Sequence, residues 1–391
     1  MTAPIGLREG PIYLDHNATT PVDPRVAQAC LPYLTEHFGN PSSSHGYGQR
    51  ARAGVDTARA AVAGLLGCAP EQIVFTGGGS DGDTLAIRGA ALANRSRGSH
   101  LITQATEHPA VLATMDALRR LHGFRVTLLP VDHHGLVNPG DLEAALGNDT
   151  VLVSIMHANG ETGTIQPIRE LADLAHAHGA LFHTDAAQSA GKIPVSVADL
   201  GVDLLTVAGH KMYAPKGVGA LYVNTGLDLE PTVYGGGQEA GRRSGTENVA
   251  LIAALGHAAH LVTGLTDMPA LRQRRDQLHS ILTELLPERV QLNGHPTQRL
   301  PNTLNLSITG TTARQILAST PTIAASTGSA CHEGIDQPSP VLTAMGLAAR
   351  RANSALRLTL GRWTSEADVD TAATSISATV SRITPSAIPL R

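Results

Sequence analysis

From residue 71 onward the sequence alternates short β-rich apolar runs with longer helical ones, and this alternation constrains the fold more than any other feature. QIVF (72–75) reads as a strand, GGGSDGD as a turn and TLAIRGAALANRSR as a helix. HLIT (100–103) is the next strand and PAVLATMDALRRLHG the next helix. FRVTLLPV, VLVSIMHA, ALFHTDAA and DLLTVAGH follow as strands, with LEAALG and IRELADLAHAH as helices between them. Near-continuous apolar strands need cover on both faces, and parallel neighbours need crossover helices. The expected fold class is therefore α/β, with a mostly parallel sheet whose ligands gather at the carboxyl ends of its strands. Beyond about residue 260 the character changes: LRQRRDQLHSILTELLP is a helix, and NTLNLSI and SALRLTL are strands. These predict a smaller C-terminal α/β domain.

Composition limits the function classes. The chain has 391 residues, 42% of them hydrophobic, which suits two or three domains with real cores. A net charge of -4 argues against direct nucleic-acid binding by general electrostatics. No apolar run reaches membrane-spanning length, and MTAPIGLREGPIYLDHNATTP lacks the layout of a signal peptide. Cys30, Cys68 and Cys331 are too few and too scattered for a disulfide framework or a thiolate metal site. Cys30 lies in a helical apolar pattern and Cys68 close before Pro70, so both read as structural. The histidines of HHG and HAHGALFH lack a carboxylate or cysteine that would complete a metal site, and no metal is expected. A reducing, cytoplasmic setting follows from the cysteine usage.

Lysine occurs only at Lys192, Lys211 and Lys216 among 29 basic residues. Arginine stays protonated, whereas a lysine amine can lose its proton and attack a carbonyl. The alternative is codon bias with three ordinary lysines. The strand ALFHTDAAQSAGK ends with Asp185 and Gln188, and the next, DLLTVAGHKMYAPKG, ends with His210 and Lys211. An acidic residue and a lysine on neighbouring strand ends suit pyridoxal 5'-phosphate, the carboxylate keeping the pyridine nitrogen protonated. Lys216 stands close behind Lys211 on this reasoning alone. GGGSDGD offers backbone amides and the Ser80 hydroxyl to a phosphate at a helix N-terminus, and it lacks the GK[ST] ending of a nucleotide P-loop. Cys331, in TIAASTGSACHEGIDQPSPV, sits among small and polar residues, unlike a buried structural cysteine. It reads as an accessible thiol.

YLDHNATTPVDPRV, FGNPSSSHGYG, TEHPAVL, SIMHANGETG, HTDAAQS, GHKMYAPKGVGALYV, GGGQEAGRRSGTEN, STGSAC and LRLTLGR occur in that order. Together, over about residues 11–365, they closely resemble the class I (NifS/IscS-type) cysteine desulfurases, pyridoxal-phosphate enzymes of aminotransferase fold type I. The resemblance implies a large domain over 17–260, a small C-terminal domain over 261–391, and an N-terminal segment, 1–16, that joins the small domain. It implies that Lys211 is the Schiff-base lysine, Asp185 the pyridinium partner and Gln188 the residue bonded to the ring hydroxyl. His108 matches the histidine that stacks on the ring, and Ser80, Gly79 and His210 match the phosphate site. Thr246 matches a threonine that reaches the partner subunit's phosphate, which implies a homodimer with shared sites. Arg357 matches the arginine that pairs with the carboxylate of L-cysteine, and Cys331 the catalytic cysteine. The sulfur would then pass to a protein acceptor serving iron–sulfur assembly, tRNA thiolation or DNA phosphorothioation.

Five positions depart from the family pattern. Gly79 replaces alanine, Ser80 threonine, Asp81 a longer glutamate, Ala208 serine, and Gly160 the second asparagine of NNE. Asn159 is then a possible substitute for the lost ring-hydroxyl contact. Other reactions of the same fold type, selenocysteine lyase and aminotransferase, and a sulfur-carrier scaffold without catalysis are the rival readings. A simple aminotransferase needs no thiol.

Overall fold

The computed structural model describes residues 3–328 and 337–384. Its described strands are β1 (Ile12–Tyr13), β2 (Ile73–Thr76), β3 (His100–Gln104), β4 (Arg125–Leu129), β5 (Thr150–Ser154) and β6 (Leu181–Asp185), followed by β7 (Leu204–Ala208), β8 (Gly219–Val223), β9 (Val290–Leu292), β10 (Thr303–Ile308), β11 (Ile323–Ala324) and β12 (Ala355–Thr359). The helices used below are α1 (Pro24–Thr35), α2 (Gly46–Leu66), α3 (Gly79–Ala93), α4 (Pro109–His122), α5 (Pro139–Ala145), α6 (Ile168–Ala177), α7 (Val197–Leu200), α8 (Val249–Val262) and α9 (Met268–Leu285). After these come α10 (Ala313–Ala318), α11 (Pro340–Ala344), α12 (Ala349–Asn353) and α13 (Glu366–Ile383).

Among the described residues the main sheet has the order β2-β8-β7-β6-β5-β3-β4. The five strands from β7 to β4 run parallel, as the alternation requires. β8 runs antiparallel to both β7 and β2. The strand–helix alternation does not single out GALYV, because β8 follows β7 through a turn rather than through a crossover helix. β3, β5, β6, β7 and β8 are buried almost end to end, β6 only partly at its first residue, so one hydrophobic layer covers each face. One layer joins α2, α6 and α8 through Val55, Val62, Leu171 and Leu255, and the other joins α3 and α4 through Leu85, Ile87 and Met115.

A second core lies apart from these. β12, β10 and β9 form an antiparallel sheet. Leu304, Leu306, Leu356 and Leu358 from it pack with Leu271, Leu278 and Leu282 of α9 and with Val369, Ile376 and Val380 of α13. Leu14 belongs to this core too, and β1 pairs in parallel with β11, Ile12 opposite Ile323.

Local chemistry fixes the element ends that matter for the site. α3 begins at Gly79, five residues earlier than the turn reading of GGGSDGD allowed, because Gly78 takes φ 141 and turns the chain straight out of β2. Gly79 and Ser80 are therefore its first helical residues. α4 begins with Pro109, and His108 caps it by accepting the Ala110 N–H on Nδ1 at 3.1 Å.

Candidate active site

The carboxyl ends of β3, β5, β6 and β7 open into one cavity of about 650 Å³. Its walls include Gly79, Ser80, His108, Asn159, Asp185, Gln188, His210, Lys211 and Arg357, so one space gathers nine of the residues singled out from sequence. Thr246 is exposed, ahead of α8, and does not line the cavity. Cys331 lies outside the described residues. Pro340 and Val341, of α11, do line the cavity.

Lys211 follows β7 directly. Its Nζ donates to Asn17 O at 2.6 Å and Ala18 O at 2.9 Å. Asp185 ends β6 and is buried; burial pushes its carboxyl up, and the Ala187 N–H at 2.8 Å together with His108 and Lys211 pulls it back. Such a carboxyl can hand its proton to a basic nitrogen placed against it and then pair with the resulting cation. His108 is held below its ordinary value by burial first. Because Nδ1 accepts the helix cap, the neutral ring carries its proton on Nε2. His210 is pushed down to about 4 by burial and then by nearby lysines, and its Nδ1 meets Thr19 Oγ1 at 3.1 Å.

Arg357 comes from the middle of β12 and is 3% exposed. Its Nη2 donates to Asp15 Oδ1 at 2.6 Å, while its buried Nε has no hydrogen-bond partner among the described residues. The residue lines the cavity, and a planar guanidinium there fits a carboxylate ligand.

Three of the departures from the family pattern are packing events. A Cβ on Gly79 would sit 3.2 Å from the Cβ of Ala208, so these two small residues face each other. A Cβ on Gly160 would meet Gln188 Nε2 at 2.7 Å; Gln188 fills the space that a side chain at 160 would take. Asn159 lines the cavity, but its own bonds hold the loop: Nδ2 donates to Thr106 O, and Oδ1 accepts from the Glu161 and Thr162 amides.

Several residues beyond the sequence reading belong to the same walls. Glu107 is buried, pushed up to about 8 by burial, and its Oε1 accepts the Met156 N–H at 2.7 Å. Glu161 is pushed up to about 7, again by burial first, and its carboxylate lies 3.1 Å from the position a Cβ on Gly328 would take. Asp83, on the same cavity, is raised by burial and by Asp185. Glu107 was readable in TEHPAVL beside His108, and Asp83 in GGGSDGD. Lys192 is 7% exposed and is no surface lysine. Lys216 is exposed. Among the described residues no three His, Cys, Asp or Glu side chains are placed to hold a metal ion. No described helix is long and apolar enough to cross a membrane.

The donor set matches pyridoxal phosphate. Amides and a hydroxyl at the N-terminus of α3 suit its phosphate, a buried carboxyl suits its ring nitrogen, and a lysine amine suits its aldehyde. The chain belongs to the aminotransferase class-V family, whose profile it matches over residues 12–371. Within that family, which depends on pyridoxal phosphate, it stands with the cysteine desulfurases. It is 45% identical to the cysteine desulfurase IscS of Methanosarcina thermophila over 92% of this chain and 89% of that protein. The solved structure of a NifS-like protein superposes with a TM-score of 0.89 at 35% identity, covering 95% of this chain and all of that one. The structure of SspA in complex with cysteine gives 0.81 at 36% identity, over 89% of this chain and 98% of that chain.

Proposed function

We propose that this chain is a cysteine desulfurase, which turns L-cysteine into L-alanine and leaves the sulfur as a persulfide on Cys331. The convergence of Lys211, Asp185 and Arg357 on one cavity carries the reading. Residues 17–260 form the cofactor-binding domain, 261–391 the small domain, and 1–16 join the latter, in keeping with the β1–β11 pairing. Gly79, Ser80 and His210 would hold the phosphate, Lys211 the aldehyde carbon, Asp185 the ring nitrogen, and Gln188 with Asn159 the ring-hydroxyl side. His108 would cover the ring.

When bound, pyridoxal phosphate supplies an electron sink for the pair left behind when the substrate α-proton departs. Arg357 binds the substrate carboxylate through its guanidinium. Lys211 Nζ takes the α-proton, and His108 Nε2–H can donate a hydrogen bond into the same space. The Cys331 thiolate attacks the substrate sulfur: an S–S bond forms, the C–S bond breaks, and its electron pair goes to the substrate carbon, which is protonated. The sulfur is oxidised and the carbon reduced, so L-cysteine and a thiol yield alanine and a persulfide with no outside oxidant.

Thr246 would complete the partner's phosphate site in a homodimer. Exposed Leu31, Leu34, Phe38, Tyr47 and Tyr234 support such an interface, with the Phe38 and Tyr47 rings stacked at 5.3 Å. The persulfide would pass to a protein acceptor in a reducing, cytoplasmic setting; Cys30 and Cys68 are free thiols.

The test is the visible absorbance of the cofactor-loaded protein on adding L-cysteine, with alanine assayed alongside in the wild type and Cys331→Ser. The expected result is a shifted band and steady alanine release, lost in the variant. A band without alanine would assign the site to another amino-acid reaction, and no band would leave a sulfur-carrying scaffold.

A further inference from the structure

Lys192 lies seven positions beyond Asp185, behind the cavity wall and outside its lining. A buried lysine is rare because its amine must leave water, so what it bonds to matters. Its Nζ donates to Gln188 Oε1 at 2.9 Å and to Asn17 Oδ1 at 3.2 Å. Gln188 Nε2 in turn donates to Asn17 O at 3.0 Å, the same oxygen that accepts from Lys211 Nζ. Two lysines thus share Asn17, one on the cavity and one behind it.

An amide looks the same either way round; its neighbours decide which end is which. Here the choice is forced. Turning the Gln188 amide over would set its N–H groups against the Lys192 amine and its oxygen against the Asn17 carbonyl. We infer that Lys192 is a positioning residue for the cofactor: from behind the wall it holds the Gln188 oxygen turned inward, so that Gln188 presents only N–H donors toward the bound ring. The inference rests on the cavity being the cofactor site. The ring hydroxyl of the cofactor ionises to an oxyanion, which a donor stabilises and a carbonyl oxygen would repel. Gly160 adds to the same device, since Gln188 Nε2 stands where a side chain at 160 would intrude. Burial, with the nearby charges of Lys211 and Arg357, holds the Lys192 amine well below its ordinary value.

The test is a double-mutant cycle of Lys192→Met and Gln188→Ala, read in the dissociation constant of pyridoxal phosphate and in the pH midpoint of its visible band. Lys192→Met should weaken binding about fivefold, the worth of one hydrogen bond, and move the midpoint upward as the oxyanion becomes more basic. In the Gln188→Ala background both effects should vanish. A purely packing role for Lys192 would give additive losses, and that result overturns the inference, as does Lys192→Met without effect. If Lys192→Met does not fold, Lys192→Gln serves in the same cycle with the same criteria. Protein that binds no pyridoxal phosphate even with both residues intact would refute the cofactor site itself, a separate failure.

Discussion

In the proposed reaction Arg357 and Lys211 do different work, and substitution should separate them. Arg357→Ala removes a planar, bidentate partner for a carboxylate and should raise KM for L-cysteine at least tenfold, with Arg357→Lys giving little rescue. Lys211→Ala removes the proton acceptor, so kcat should fall about 10²–10⁴-fold while KM moves little; steady-state kinetics on the two variants checks the split. Equal changes in both parameters for both variants would contradict these roles. Titration belongs to this scale as well. Burial holds His16 and His183 down to about 3 and His157 to about 4. Unfolding lets them take up protons below their ordinary 6.5, so the unfolded state binds more protons there and stability falls as pH drops through that window. Glu107 and Glu161 are raised to about 8 and about 7 from an ordinary 4.5. The native state binds more protons between those values, and their contribution is lost as pH rises through 7 and 8. The cofactor-free protein should therefore be most stable at about pH 6–7, with Glu107→Gln flattening the alkaline fall. Urea unfolding across pH checks this, and a flat profile would count against it.

At the scale of elements, the proposed phosphate end of the site depends on how closely β8 approaches the turn after β2. A Cβ on Gly219 would lie 2.6 Å from Val207 O and 2.8 Å from the Gly78 carbonyl carbon, both backbone atoms that cannot swing aside. Gly219→Ala should cost about 1–3 kcal/mol in stability and weaken pyridoxal-phosphate binding, because the displaced turn carries Gly79 and Ser80; thermal melts with and without cofactor measure both. An unchanged cofactor affinity would show that the turn tolerates the push. These contacts also mark where the sequence stopped being readable. The parallel strands β3 to β7 were legible because each is a continuous apolar run followed by helix or turn signals. β8 was not, since its antiparallel partner comes through a turn and nothing in GALYV announces direction. Lys211, Asp185 and Arg357 were legible through ordered motifs. Lys192 and Asn17 were not, because their roles depend on hydrogen bonds between segments far apart in sequence.

Across the whole molecule the two cores meet at charged contacts buried between them. Arg362, just past β12, pairs through Nη1 with Asp23 Oδ2 at 2.7 Å, and both are almost fully buried. Its guanidinium lies 4.0 Å from the Tyr213 ring centroid. Removing one member of such a pair strands the other's charge, so Arg362→Ala should cost about 3 kcal/mol in urea unfolding, whereas Arg25→Ala, on the exposed side of Asp23, should cost less than about 1 kcal/mol. Equal costs would mean that burial does not govern this contact. The hub at Asn17 spans the same junction: its Nδ2 donates to Thr303 Oγ1 and Gly160 O, and its Oδ1 accepts from Asn302 and Lys192. Its carbonyl oxygen also accepts from Lys211 Nζ, so one asparagine links the segment after β7 to β10 and to the loop at Gly160. The most direct measurement of the proposed activity is mass spectrometry of the cofactor-loaded protein after brief exposure to L-cysteine, with alanine assayed in the same sample. One added sulfur atom on the peptide carrying Cys331, with an equal amount of alanine, is the expected result. Alanine without that sulfur, or sulfur on Cys30 or Cys68 instead, would contradict it.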